Sequence, residues 1–159
     1  MDSGKVLVLT HLDLYSAFDT TDHDILLHHL VHTFSFQGTT LAWFRSYLSD
    51  RTQTMSIDGR LSSPAISQYG FPQGSVLGPI LFILYTQPLP CVIGRYPVSH
   101  QLYADDTQLY SSSSPSEISA TIHNIEKCIC DVKSWMICNK LQMNNDKTEP
   151  ILPILIATQ

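Results

Sequence analysis

The chain has 159 residues, 43% of them apolar, enough to bury one respectable core, so residues 1–159 read as a single domain. Fourteen acidic residues against nine basic ones give a net charge of −5, and Arg45, Arg51, Arg60 and Arg95 are scattered, which excludes a free-standing nucleic-acid binder with a basic face. No apolar run reaches the length of about 18 residues that a membrane-spanning helix needs, and the polar, acidic start Met1-Asp2-Ser3-Gly4-Lys5 does not read as a targeting segment. Cys91, Cys128, Cys130 and Cys138 fit no zinc module by spacing and read as free thiols. An intracellular protein, nuclear or cytoplasmic, with no membrane partner is the expectation.

The first element is the apolar run Val6-Leu7-Val8-Leu9-Thr10-His11-Leu12-Asp13-Leu14, a buried strand over residues ~5–14. Period-two alternation puts Leu7, Leu9, His11 and Asp13 on one face and Val6, Val8, Thr10, Leu12 and Leu14 on the other. A helix over ~22–33 follows, capped from Thr21 or Asp22. It carries His28 and His32 at i, i+4, a spacing open to a helical metal site but read mainly as a solvated face. Leu41, Phe44 and Leu48 mark a second helix over ~39–49. Residues ~52–58 and ~61–68 alternate around Asp58-Gly59, a hairpin signal. A rigid Gly/Pro turn, Gly70-Phe71-Pro72-Gln73-Gly74, then runs into an apolar helix over ~75–87.

Strands over ~99–104 and ~107–111 flank the acidic pair Asp105-Asp106 and place it at a hairpin tip. Past a short Ser/Pro linker, the longest helix covers ~116–138, with Ile118, Ile122, Ile125, Ile129, Val132 and Met136 as its buried stripe. Pro150 and Pro153 interrupt the apolar run that closes the chain and argue against a strand there. Elements in this order give an α+β fold, an antiparallel sheet backed by helices.

Tyr103-Ala104-Asp105-Asp106 is the most informative stretch. Adjacent carboxylates repel and are most easily kept ionised against a divalent cation. Asp13 is the one acid in a mostly apolar strand, and a buried carboxylate needs a partner. Magnesium held by two carboxylates plus substrate phosphates is the arrangement typical of phosphoryl-transfer sites. Asp-Asp is also ordinary turn chemistry and Asp13 alone could cap a helix, so each piece by itself is weak.

Together with the turn at residues 70–82 the pattern becomes specific. Residues Leu12-Asp13-Leu14-Tyr15-Ser16-Ala17-Phe18-Asp19-Thr20-Thr21-Asp22-His23 resemble the first palm motif of the reverse transcriptases of non-LTR, LINE-type retrotransposons. Pro72-Gln73-Gly74-Ser75-Val76-Leu77-Gly78-Pro79 resembles the second, Tyr103-Ala104-Asp105-Asp106 the third, and Leu141-Gln142-Met143-Asn144-Asn145-Asp146-Lys147-Thr148-Glu149 the fourth. The resemblance implies a polymerase palm with fingers and thumb largely missing. It implies Asp13 and Asp105 as principal Mg²⁺ ligands with Asp106 beside them, and two ions in an intact enzyme. Gln73 and Gly74 would lie near the incoming nucleotide. Phe18 falls where the family crowds a ribose 2′-hydroxyl, or is a core ring; Lys147 matches a proton donor to pyrophosphate, or is an ordinary surface lysine.

The implied reaction is Mg²⁺-dependent, RNA-templated DNA synthesis, with RNA template, DNA primer and deoxynucleoside triphosphates as partners and weak or no nucleic-acid binding by these residues alone. The alternative is a catalytically inert retrotransposon remnant acting at most as a binding module. Four departures from the family pattern support that alternative: His11 two residues before Asp13, Tyr15 beside it, Thr86-Gln87-Pro88-Leu89-Pro90 in place of an Asn-Asp segment, and Pro150 with Pro153 in what should be a strand after the fourth motif.

Overall fold

A computed structural model describes residues 5–72, 74–149 and 151–156, with side chains as far as Ile154. Gln73 and Pro150 lie outside the described residues. In chain order the elements are β1 (Lys5–Leu12), α1 (Ala17–Thr20), α2 (His23–His32), α3 (Gly38–Leu48), β2 (Thr52–Gln53), β3 (Ser56–Ile57), β4 (Arg60–Leu61), β5 (Ala65–Ile66), α4 (Gly78–Thr86), α5 (Leu89–Ile93), β6 (Ser99–Tyr103), β7 (Asp106–Ser113), α6 (Ile118–Cys138) and β8 (Leu152–Ile156). They fall into two compact units, Met1–Ala17 with Thr86–Gln159, and Phe18–Tyr85.

The first unit is built on an antiparallel sheet in the order β6-β7-β1-β8. The alternation along β1 is realised: Val6, Val8, Thr10 and Leu12 are buried, while Leu7, Leu9 and His11 are half-buried on the other face. Across the ladder Thr107 and Leu109 of β7 continue the buried face. α6 packs on β1 and β7, and α5 packs on α6. Its stripe is Ile125, Cys128, Val132 and Met136, all fully buried or nearly so. Ile118, Ile122 and Ile129, expected in that stripe, are only half-buried, because the helical repeat brings Cys128 rather than Ile129 over the sheet. Burial pushes the Cys128 thiol up to about 11.

One expectation is corrected here. The closing segment forms a strand after all: β8 pairs with β1 with Pro153 opposite Val8. β8 is an edge strand, where a residue without an N–H costs no ladder bond to a further neighbour. Within Thr86–Pro90, α5 starts at Leu89 with Pro90 in its first turn, where the missing N–H would be unsatisfied in any case. Tyr96, after α5, donates its hydroxyl to Asp131 Oδ2 at 2.7 Å and ties this segment to α6.

In the second unit the Asp22 carboxylate caps α2, accepting from the N–H groups of Asp24 and Ile25 at 3.0 Å each. Leu26 and Leu30 are fully buried, and His29 Nδ1 bonds the carbonyl of Tyr85 at 3.0 Å. The expected hairpin is present in two pieces, β3 with β4 around Asp58-Gly59 and β2 with β5 below it. α4 begins at Gly78, three residues later than its apolar pattern suggests, because Ser75 turns first and its hydroxyl accepts the Gly78 N–H at 3.3 Å.

The second motif is stitched to the first within this unit. Gly70 N–H donates to Thr21 O at 2.8 Å, Phe71 N–H to Phe18 O at 3.0 Å, and Asp22 bridges Tyr69. Gly70 is required twice over: its φ is +73°, and a Cβ there would stand 2.7 Å from the Asp19 carbonyl oxygen. Gly70→Ala should therefore destabilise the chain by about 2 kcal/mol or more, read as a lowered urea midpoint at unchanged slope. A Gly59→Ala control, at a similar φ but with open space around it, should lose less.

Candidate active site

Asp13 leaves β1 one residue beyond its last sheet pair and is pinned by the fourth motif. Asn144 N–H donates to the Asp13 carbonyl at 2.9 Å, and Asn144 Nδ2 donates to Asp13 Oδ2 at 3.0 Å. Asn144 is itself fixed: its carbonyl accepts from Thr148 N–H and Oγ1, and its side-chain oxygen accepts from Asp146 N–H at 3.2 Å. On either side Tyr15 N–H bonds Gln142 O, Glu149 N–H bonds His11 O, and Leu14 bridges Met143. The fourth motif is thus a clamp on the end of β1. In the sequence the only signal at Asn144 is turn chemistry, Asn-Asn-Asp, inside a motif.

The acidic pair is positioned by a two-residue hairpin. Tyr103 pairs with Asp106, leaving Ala104 and Asp105 as the turn. Ala104 has φ +54°, a left-handed conformation that costs an alanine about 1 kcal/mol, a strain of the kind that collects at functional turns. Because β1 pairs β7 with Leu12 opposite Thr107, Asp13 and Asp106 stand at the ends of neighbouring strands. They continue the face that carries His11 and Gln108, opposite the face that α6 covers. His11 Nε2 lies 3.4 Å from Asp106 Oδ1, a diagonal neighbour across the ladder.

The register sets Asp13 and Asp106 at the ends of adjacent strands, with Asp105 in the adjoining turn. Among the described residues no group of three or more His, Cys, Asp or Glu side chains is arranged to hold a metal ion by itself. Two carboxylates on strand ends still fit a hard divalent cation, which commonly takes its remaining ligands from substrate phosphates and water. Lys147 is exposed in the turn after Asn144. In the second unit Phe18 is half-buried with its ring 4.9 Å from that of Phe82, and Gly74, at φ +78°, has open space where a Cβ would be. That unit also holds an open cavity of about 720 Å³ bordered by Asp19, His23, Tyr47, Arg51 and Tyr69. His23 Nε2 bonds the Gly70 carbonyl at 2.8 Å, a link between motifs that no spacing in the sequence signals.

Residues 1–154 match the family "Reverse transcriptase (RNA-dependent DNA polymerase)". The chain belongs to the reverse transcriptase family. It is 30% identical over 143 residues to a protein of Drosophila melanogaster described as a probable RNA-directed DNA polymerase from transposon BS. It is 29% identical over 152 residues to the RNA-directed DNA polymerase from mobile element jockey of the same fly. The two alignments take in 86% and 92% of this chain, which spans only 15% and 16% of the respective relatives. This reverse transcriptase domain is therefore of the non-LTR retrotransposon kind. Its fold is shared with telomerase of Candida tropicalis (TM-score 0.68, 16% identity, 97% of this chain and 32% of that one). Telomerase of Candida albicans is similar as well (TM-score 0.65, 17% identity, 92% and 28%). Reverse transcriptases as a family use divalent metal ions.

Removing the Asn144 amide should free the Asp13 carboxylate and unpin the fourth motif. Asn144→Ala is expected to cost about 1–2 kcal/mol in urea unfolding, since the hydrogen bond it loses is to a charged group in a half-buried setting.

Proposed function

We propose that these residues are the palm of a retrotransposon reverse transcriptase and that Asp13, Asp105 and Asp106 form its Mg²⁺-binding centre for RNA-templated DNA synthesis. The observation that carries the reading is the β1–β7 register, which sets the acid of the first motif beside the acidic hairpin of the third although more than ninety residues separate them. Asp13 and Asp105 would hold the ions, two in an intact enzyme, with Asp106 beside them. Bound Mg²⁺ supplies Lewis-acid activation of a primer 3′-hydroxyl and charge neutralisation at the leaving pyrophosphate. Within the chain, Asn144 holds the Asp13 carboxylate in place, and the strained Ala104 turn presents Asp105 at the hairpin tip. Phe18 would exclude a ribose 2′-hydroxyl by its bulk, Gln73 and Gly74 would lie along the nucleotide, and Lys147 would hand a proton to pyrophosphate. RNA template, DNA primer and deoxynucleoside triphosphates are the partners in the full-length polymerase. No described helix is long and apolar enough to cross a membrane.

One observation favours the inert alternative. His11 sits against Asp106, where the imidazole competes for the carboxylate that an ion needs. The two readings part on metal binding. Under the first, Mn²⁺ used as a paramagnetic stand-in for Mg²⁺ broadens the amide resonances around residues 13 and 104–107 before all others, and Asp13→Asn removes the effect. Uniform broadening in both proteins would leave the remnant.

Primer extension by these residues alone is not expected even if the ion binds. Positioning supplies roughly 7–11 kcal/mol in well-ordered active sites, and a chain at −5 that spans 15% of its fly relative repels both triphosphate and duplex at long range. The measurement is extension of a labelled DNA primer on an RNA template, with Asp105→Asn as the control for contaminating polymerase. Extension that vanishes in that variant would show a self-sufficient polymerase.

A further inference from the structure

Four histidines lie on α2, and the structure gives them two different employments. His23 and His29 are bonded to main-chain carbonyls, those of Gly70 and Tyr85, and so hold the fold together. His28 and His32 are exposed, one turn apart, with ring centroids 4.2 Å from each other and planes tilted by 38°. Among the described residues neither of these two rings has a hydrogen-bond partner; their neighbours are each other and, for His28, the ring of His29. Asp24 stands a further turn toward the N-terminus on the same exposed stripe, its carboxylate adding negative charge beside the pair.

We propose that His28 and His32 form a two-point chelating site for a borderline divalent transition ion such as Zn²⁺, Ni²⁺ or Cu²⁺, chemically separate from the carboxylate centre of the other unit. Side chains at i and i+4 face the same way on a helix, and paired histidines at this spacing are the pair that helical zinc sites use. Imidazole nitrogen suits Zn²⁺, Ni²⁺ and Cu²⁺, whereas Mg²⁺ takes oxygen ligands, so the two centres sort cations by ligand type. The ordered state of the helix keeps the rings side by side, so little further freedom is lost when an ion joins them. With no third donor arranged around the pair among the described residues, water fills the remaining positions and the ion exchanges readily. Ligation bridges the last turn of α2 and stabilises the folded chain by mass action.

The test is calorimetric titration of the untagged chain with ZnCl₂ and NiCl₂ in excess Mg²⁺, after alkylation of the exposed thiols of Cys91, Cys130 and Cys138. One ion should bind per chain, and His28→Ala and His32→Ala should each weaken it by about tenfold or more, the loss expected when a chelate falls to a single ligand. His123→Ala, which removes an exposed histidine of α6, should leave the affinity unchanged. Circular dichroism establishes that the variants remain folded. A second measurement needs no variant: added Cu²⁺ should broaden the ring resonances of His28 and His32 ahead of those of the other histidines. Native-like titration by both alanine variants, or broadening that begins at other histidines, would overturn the proposal.

Discussion

The register between β1 and β7 is the constraint on which the candidate site depends. Antiparallel pairing has a side-chain period of two, so a slip of one residue would turn Asp13 and His11 toward α6 and bring Val8 and Leu12 to the surface. The burial of Val6, Val8, Leu12 and Leu109 against α6 forbids that slip, at a gain of about 1.5–3 kcal/mol for each large side chain placed inside. Core packing on one face thereby fixes the carboxylates on the other. Neither Asp13 nor Asp106 contributes to that core, yet both owe their position to it.

On the site face the two acids have different partners. Asp13 is held by an amide that donates to it, a neutral partner that leaves the carboxylate its charge and part of its lone-pair capacity. Asp106 instead faces the His11 imidazole, whose Nε2 lies 3.4 Å from Asp106 Oδ1. Two acids that the motifs make look alike thus stand in different environments.

The second unit achieves the same kind of placement by backbone contact. The first and second motifs meet through hydrogen bonds from Gly70 and Phe71 to Thr21 and Phe18, with no room for a side chain at residue 70. His23 reinforces the contact through the Gly70 carbonyl, and Asp22 caps α2 from the same short stretch. Motif residues without any chemical role of their own are thereby accounted for: they hold the chain that carries Phe18 and the turn at Gly74.

Much of this was legible in the residues themselves. Alternation in β1, the cap of α2, the apolar spacing in α3, the hairpin acids and the length of α6 are local properties, set by periods of 2 and 3.6 and by turn chemistry within a few residues. The four motifs, read together, also gave the family. What remained hidden was non-local. Pro153 reads as a strand breaker until the sheet order shows β8 at an edge, where no outer neighbour needs its N–H. Cys128 outranks Ile129 in the core only because of how α6 is rotated over the sheet. Asn144 and His23 look like ordinary polar residues until the fold brings each to a partner 131 and 47 positions away. Hydrogen bonds of that reach leave no periodic trace in a single sequence, so only the tertiary structure could assign them.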